Sequence, residues 1–471
     1  MGRRAVDGRV ASGYTVSGRD PSALLALAAD VVARAEKAGA TEAEVLLTAQ
    51  DAALTRFANS EIHQNVSETG TSLNLRFVVG KRIGVASSGR TDAEGLLRLV
   101  ETAAAIARSG EELESWAGLP EPADPADAAT RGPARSARAV GTADATPEFR
   151  ASGAREVIAA ADAEGVTAYG SFATTEETVV IANSRGIGVS ESRTNSQLIT
   201  VHMSPDGGTG YAEAVAVDAT TINPGALGRE AAAKARATDH ARAIEPGDYP
   251  VVLEPYAVVD IVDMLGYVGF SALAVEEGRS FYAPGKRIGS ELVDVVDDPS
   301  AVTGLPMAFD YEGVEKRPLT LVHAGVCVDV VHDAQTAARA GVRSTGHGLP
   351  APNPYGPFPL NMVMAPGTSS MDELIGGMDR GLLVTRFHYT NVVHPKLAII
   401  TGMTRDGTFL VEDGRIVGPV RNLRFTQSYL DALAGVEAVG RERRTLRGFL
   451  GAVVVPSLRI SSWTFTGATE H

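Results

Sequence analysis

The sequence predicts an α+β protein, with N-terminal helix–β-meander–helix domains followed by a β-rich, mostly antiparallel C-terminal domain. Two observations carry that prediction. Before residue 243, apolar runs of helical period twice bracket sets of short extended segments. After Pro246, short strands dominate, and Asp-Gly dipeptides stand between them. The 471 residues suffice for two or three such domains, each with its own core.

Residues 1–19 read as a disordered tail, because their arginines precede no apolar stretch of the kind a secretory signal needs. The first α+β domain spans 20–110. Asp20 caps a helix with Pro21 in its first turn, Leu24, Leu27, Ala28, Val31 and Ala35 share one face, and Gly39 ends the run. Extended segments follow at 45–49, 54–58, 72–79 and 83–87, with turns at Asn59-Ser60, Thr69-Gly70 and Gly80-Lys81. Thr91 and Glu94 have capping-box spacing, and Leu96, Leu97, Val100, Ala104 and Ala107 form the buried face of the next helix.

Residues 111–146 are rich in Ala, Pro, Asp and Arg and offer little to bury, which predicts a linker. The second α+β domain, 147–243, opens on a helix from Pro147 to Ala163. Four extended segments follow near 167–174, 177–183, 188–202 and 209–219, then a helix after Asn223-Pro224. The C-terminal domain, 246–471, has helices near 258–268 and 371–376, the second with Ser370 and Glu373 as a capping box. Asp406-Gly407 and Asp413-Gly414 read as hairpin turns.

The formal net charge of −14 repels phosphate backbones, and no Lys/Arg-rich run offsets it, so no nucleic-acid partner is expected. No apolar stretch is long enough to span a bilayer. The single cysteine, Cys327, excludes an internal disulfide and fits a reducing cytoplasm.

Motifs for independent chemistry are missing. The nine histidines include no His-x-x-x-His pair and none is followed by Glu. His323 and Cys327 lie four apart in an alternating stretch, where strand geometry separates them by about 13 Å, too far to grip one ion. Cys327 reads instead as a small core residue. Gly-x-Ser-x-Gly does not occur, and no Gly-rich loop precedes a helix as a phosphate cradle. His347, His388 and His394 read as ordinary hydrogen-bonded histidines. No catalytic residue and no metal ligand is assigned to this chain.

Several segments stand together in a familiar order: Thr55–His63, Gly80–Gly89, Glu254-Pro255-Tyr256-Ala257, Thr336-Ala337-Ala338, Ser344–His347, Ala365-Pro366-Gly367, Gly381–Arg386, His394-Pro395 and Thr401–Gly407. On these the chain resembles the TldD/TldE (PmbA) family, also called modulators of DNA gyrase. The resemblance implies a zinc metallopeptidase complex of one TldD-like and one TldE-like subunit acting on unfolded or short peptides. In TldD-like subunits a His-Glu-x-x-x-His helix holds the zinc, and a later cysteine is a further ligand. Here Val258–Gly266 replaces that helix, and no cysteine follows Cys327. The chain therefore looks like the metal-free, TldE-like subunit: no cofactor of its own, zinc in a TldD-like partner, a peptide as substrate. Arg386, His388 and Tyr389, clustered on one strand, are the candidate substrate-cleft residues. Two alternatives stay open: a homodimeric, metal-independent peptide- or amide-binding protein, and an independent hydrolase with unrecognised catalytic residues.

Overall fold

The computed structural model describes residues 20–123 and 137–468. The predicted tail, 1–19, and the middle of the predicted linker lie outside these residues. In chain order the N-terminal elements are α1 (Pro21–Lys37), β1 (Glu42–Ala58), β2 (Glu61–Val79), β3 (Arg82–Ser88), α2 (Ala93–Ser109), α3 (Val140–Ala143), α4 (Pro147–Ala163), β4 (Thr167–Asn183), β5 (Gly188–Met203), β6 (Thr209–Ala216) and α5 (Pro224–Ala237). The strands follow the order β3-β2-β1-β4-β5-β6 in one sheet.

Local chemistry sets most of these boundaries. Asp20 accepts the Ser22 amide, Thr146 the Phe149 amide and Asn223 the Ala226 amide, and each cap is followed by a proline at the first helical position. The start of α2 differs from the predicted box. Asp92 is the cap and accepts the Gly95 N–H at 2.8 Å, while Arg90 holds both Asp92 and Glu94. Leu97 points outward, and Leu99 and Ala103 take its place in the core. Thr69-Gly70 makes no turn: β2 runs straight through it, as β1 and β4 run through the breaks expected near 50 and 175. Asn59-Ser60 and Gly80 do turn, with positive φ at each.

By compactness the chain forms two units. One takes residues up to Gln50, Gly70–Pro122 and Thr178–Glu191. Its core packs Leu24, Val31, Leu47, Leu75, Phe77 and Val100 between helices and sheet. The Trp116 indole donates to Glu42 within it, so the described start of the predicted linker is docked. The other unit takes Asp51–Thr69, Ala123–Glu177 and everything from Ser192. There Thr142, near the end of the predicted linker, is buried and donates to the Val217 carbonyl.

The second unit continues with β7 (Gly247–Leu253), α6 (Pro255–Val268), α7 (Ala272–Glu276), β8 (Val295–Asp297), β9 (Leu319–His323), β10 (Val326–Cys327), α8 (Ala334–Ala340), β11 (Met362–Met364), α9 (Met371–Gly376), β12 (Arg380–His394), β13 (Ile399–Glu412), β14 (Arg415–Pro419), β15 (Leu423–Ser428), α10 (Tyr429–Ala434), β16 (Val436–Arg447) and β17 (Ala452–Ala468). Five strands close on themselves. β7 pairs in parallel with β12; β12 then pairs with β13, β13 with β15, β15 with β17, and β17 returns to β7, all antiparallel. Inside this barrel Phe387 stacks on Trp463 at 4.8 Å, with Phe425 and Tyr429 against the same indole.

The two Asp-Gly dipeptides part ways. Asp413-Gly414, both at positive φ, join β13 to β14 as a two-residue hairpin turn. Asp406-Gly407 lies inside β13, where the two residues oppose Thr385 alone, so this pair is a bulge that bends the barrel wall. Ala324-Gly325 supplies an unpredicted hairpin turn, which places His323 and Cys327 on neighbouring strands instead of along one strand. They still face apart: His323 is exposed and bonded to Asp294, whereas Cys327 is buried, its thiol pushed up to about 11 by burial.

Candidate functional site

Helix α6, which spans the histidine-free segment after β7, organises the site within the second unit. It starts at Pro255, three residues before the predicted boundary, because proline's fixed φ suits the first turn and strand β7 ends at Leu253. Its inward stripe, Val258, Ile261, Val262, Leu265 and Val268, is buried in the core of the C-terminal domain.

At its N-terminal end the polar groups form a continuous network. Glu254 is buried, accepts from Lys234 at 2.5 Å and from the Thr385 hydroxyl at 3.1 Å, and makes no capping bond to the helix. The Tyr256 hydroxyl receives the Glu213 N–H at 3.3 Å and the Arg444 guanidinium, and donates to Glu230 at 3.1 Å. Arg444 also donates to Glu230 at 2.8 Å, and Lys234 and Arg444 lie 5.1 and 5.0 Å from the Tyr256 ring centroid. Burial works to raise the Glu230 carboxyl, but Lys234 and Arg444 outweigh it and hold the carboxyl below the usual range. Tyr256 and Tyr211 are pushed well up, by burial first and by Glu230 and Glu213 respectively next.

Halfway along, α6 presents two carboxylates. Asp260 accepts the Tyr429 hydroxyl at 2.5 Å and the Thr390 hydroxyl at 2.6 Å. Asp263 accepts the Phe449 N–H at 2.8 Å; burial, with Asp260 nearby, raises it to about 6. No histidine accompanies them. A tetrahedral zinc site needs three or four converging N, S or O donors. Among the described residues no group of three or more His, Cys, Asp or Glu side chains could hold an ion. Three of the four carboxylate oxygens of Asp260 and Asp263 accept from a phenol, a hydroxyl and an amide, and among the described residues no third donor converges with them, so the residues on this helix do not fit a hydrolytic metal.

The three candidate cleft residues meet different fates. Arg386 pairs with buried Asp406 at 2.5 Å and lies 4.4 Å from the Tyr211 ring centroid, so it anchors the barrel wall. His388 is half-exposed, lowered by burial and by Arg405 and Arg386, with its ring 4.6 Å from that of Tyr389. Tyr389 is 72% exposed at φ +53, on the bulge between His388 and Asn391. Of the three, only Tyr389 is presented freely to solvent.

His347 is buried, its ring bonded to Asp297 at 3.0 Å and Thr345 at 2.9 Å, while Lys316 lies 3.2 Å from the same aspartate. Burial raises the Asp297 carboxyl, but Lys316 and His347 overcome it and hold the group well below the carboxylate range. This cluster fixes the loop beneath β8. His394 caps a turn by accepting the Leu397 N–H. Sequence reasoning missed Glu213, Glu230, Lys234, Tyr256 and Arg444. Only the Glu230–Lys234 pair, one helical turn apart, has a local signal; Glu230 and Arg444 meet across 214 positions of sequence.

Residues 246–467 match the family model of the PmbA/TldA metallopeptidase C-terminal domain, and residues 43–107 match that of PmbA/TldA metallopeptidase domain 1. A metalloprotease of Methanothermobacter thermautotrophicus is 28% identical over 235 residues, 48% of this chain and 50% of that protein. A zinc metalloprotease TldD homolog of Saccharolobus solfataricus is 26% identical over 219 residues, 43% of this chain and 46% of that protein. The matched stretch thus spans about half the length of these relatives. Among solved structures, TldE from Thermococcus kodakarensis superposes with a TM-score of 0.85 at 20% identity, covering 94% of this chain and 100% of that one. A modulator of a DNA gyrase from Thermotoga maritima gives 0.82, also at 20% identity and the same coverage. At such identity these two likenesses speak for the fold alone. No helix among the described residues is long and apolar enough to cross a membrane.

Proposed function

The chain belongs to the TldD/TldE (PmbA) family, a family of metallopeptidases, and on that premise we propose that it is the metal-free, TldE-like subunit of a two-part zinc peptidase. One observation carries the reading: α6 bears Asp260 and Asp263, already satisfied by Tyr429, Thr390 and Phe449, and no histidine. In this reading the zinc, and the carboxylate that activates its water, belong to a TldD-like partner bearing His-Glu-x-x-x-His. The pair works in the cytoplasm on unfolded or short peptides, and this subunit helps wall the substrate cleft, with Tyr389 as its exposed contact.

Co-expression with a His-Glu-x-x-x-His protein of the family tests the reading. A heteromeric complex with one zinc per pair, and peptide cleavage abolished by chelation, is the expected result. Zinc held tightly by the singly expressed chain overturns it. A stable homodimer that binds peptides but never a TldD-like protein favours the binding-protein alternative, and cleavage surviving exhaustive chelation favours an independent hydrolase.

A further inference from the structure

Three neighbouring strands of the barrel, β12, β13 and β15, carry cations on their outer face. Phe387 and Phe425 point inward onto Trp463, so the residues that alternate with them, Arg386, His388 and Arg424, point outward. On β13, between those strands, Met403 and Arg405 share that outer face. Arg386 pairs in register with Arg405, and Met403 with both His388 and Arg424. Arg405 and Arg424 are therefore diagonal neighbours on adjacent strands, about 7–8 Å apart at the backbone and within reach of each other's side chains.

Their surroundings do not balance them. Arg386 is committed to Asp406 and to the Tyr211 ring. Arg405, its side chain 38% exposed, stands 3.9 Å from the same carboxylate, beyond hydrogen-bond distance. Arg424 is exposed and makes no hydrogen bond or ion pair among the described residues. Three guanidinium groups thus face one buried carboxylate, on a patch roughly 10 Å by 7 Å. His388 senses the excess: after burial, Arg405 and Arg386 lower it most, against a smaller opposing effect of Asp406. Like charges on adjacent strands cost stability, so the arrangement is unfavourable until an anion lies between them. The net charge of −14 does not cancel this field, because salt screens exposed charges beyond about 8–10 Å.

So small a patch does not suit a nucleic-acid backbone, which needs an extended basic stripe. A planar carboxylate does fit, since it accepts from arginine forks two bonds at a time. Tyr389, 72% exposed, directly follows His388 and sets an apolar ring at the edge of the patch, roughly three extended residues from the arginine pair. We infer that the Arg405–Arg424 face binds an acidic side chain of an extended peptide, with an apolar residue of the same peptide against Tyr389. This rests on the reading above for a peptide as guest, and deepens it by naming the class: peptides with Asp or Glu near an apolar residue.

Titration of the singly expressed chain with rhodamine-labelled, C-terminally amidated peptides, read by fluorescence anisotropy in low salt, tests it. One peptide places Leu three positions before a Glu-Glu pair, and its counterparts carry Gln-Gln or Lys-Lys instead. The Glu peptide is expected to bind about tenfold tighter than the Gln peptide, and the Lys peptide not at all. The preference should shrink in about 0.5 M salt. Arg405→Gln combined with Arg424→Gln should erase it, and the melting temperature should hold or rise as the repulsion is relieved. If that double variant does not fold, Arg424→Gln alone should weaken the Glu peptide about threefold. Arg415→Gln, on the exposed edge of β14, should change nothing. Equal binding of the Glu and Gln peptides, an equal loss from Arg415→Gln, or a free-acid Gln peptide as tight as the Glu peptide overturns the inference. So does a double variant that keeps peptide binding but loses a TldD-like partner, since the patch is then a subunit interface. If no peptide binds while the two-subunit complex still forms, this inference alone fails; if acidic peptides bind but no complex forms, the subunit assignment alone fails.

Discussion

The Tyr429 hydroxyl donates to Asp260 Oδ1 over 2.5 Å, tying α10 to α6 through a phenol fully buried against Trp463. Asp260 Oδ2 takes the Thr390 hydroxyl, so one carboxylate holds two helices' worth of packing to strand β12. Burial raises this carboxyl above its ordinary value, and the two hydrogen bonds offset only part of the rise.

Tyr429→Phe should therefore cost about 1–3 kcal/mol of unfolding free energy. The phenol stabilises the charged form, so without it Asp260 rises further. The loss should be larger at about pH 8 than at about pH 3, below the ordinary carboxylate value, where a raised carboxyl carries its proton with or without the phenol. Urea denaturation at both pH values measures it.

Asp263 behaves in the opposite sense to a salt-bridged carboxylate. Burial, then Asp260, raises it from 3.8 to about 6, so the folded state holds the proton more tightly than the unfolded chain. Its contribution is fully present below the unfolded value and is lost as pH rises through about 6. Asp263→Asn keeps an oxygen for the Phe449 N–H and removes the charge. The variant should be about 1–3 kcal/mol more stable than the wild type at neutral pH, with the gap closing toward pH 4 in thermal melts.

His202, on β5, is buried with neither ring nitrogen hydrogen-bonded among the described residues, and burial lowers it from 6.5 to about 4. A depressed base gives stability above its unfolded value that is lost as pH falls toward the folded one. His202→Leu should flatten the acid limb of the stability profile between about pH 6.5 and 4, and cost under about 1 kcal/mol at neutral pH.

Tyr389 and Arg386 should separate cleanly. Arg386→Ala leaves Asp406, only 1% exposed, with no cation nearer than Arg405 at 3.9 Å, and should destabilise the protein by about 3 kcal/mol. Tyr389→Gly relieves a positive φ, so its melting temperature should hold or rise slightly. If Tyr389 contacts substrate, Tyr389→Gly lowers peptide cleavage by the reconstituted pair; unchanged cleavage removes it from the cleft.

What the sequence made legible was what local chemistry decides. Asp20, Asn223 and Ser370 cap the helices that their spacing announced, and Asp413-Gly414 turns the chain as that dipeptide does between strands. Asp406-Gly407 carries the same letters and makes a bulge, because its strand continues beside β12 and only pairing partners distant in sequence reveal that. The lack of histidines on α6 was legible in the letters themselves. The network around Tyr256 was not, since Glu213, Glu230 and Arg444 reach it from separate elements with no common spacing. The buried imidazole of His202 is likewise a property of surroundings that no short motif encodes.

The ring of strands that surrounds Trp463 has its seam between Val252 and Arg459, so its first member waits for its last. During synthesis β7 precedes Phe387 and Phe425, whose rings meet each other at 4.7 Å but lack the Trp463 indole until residues beyond Ala452 leave the ribosome. A nascent or truncated chain lacking that final hairpin presents sticky aromatic rings to its neighbours. Closure of the ring thus rests on a pairing between strands far apart in sequence, which makes it a slow, non-local step that completes only once β17 is available.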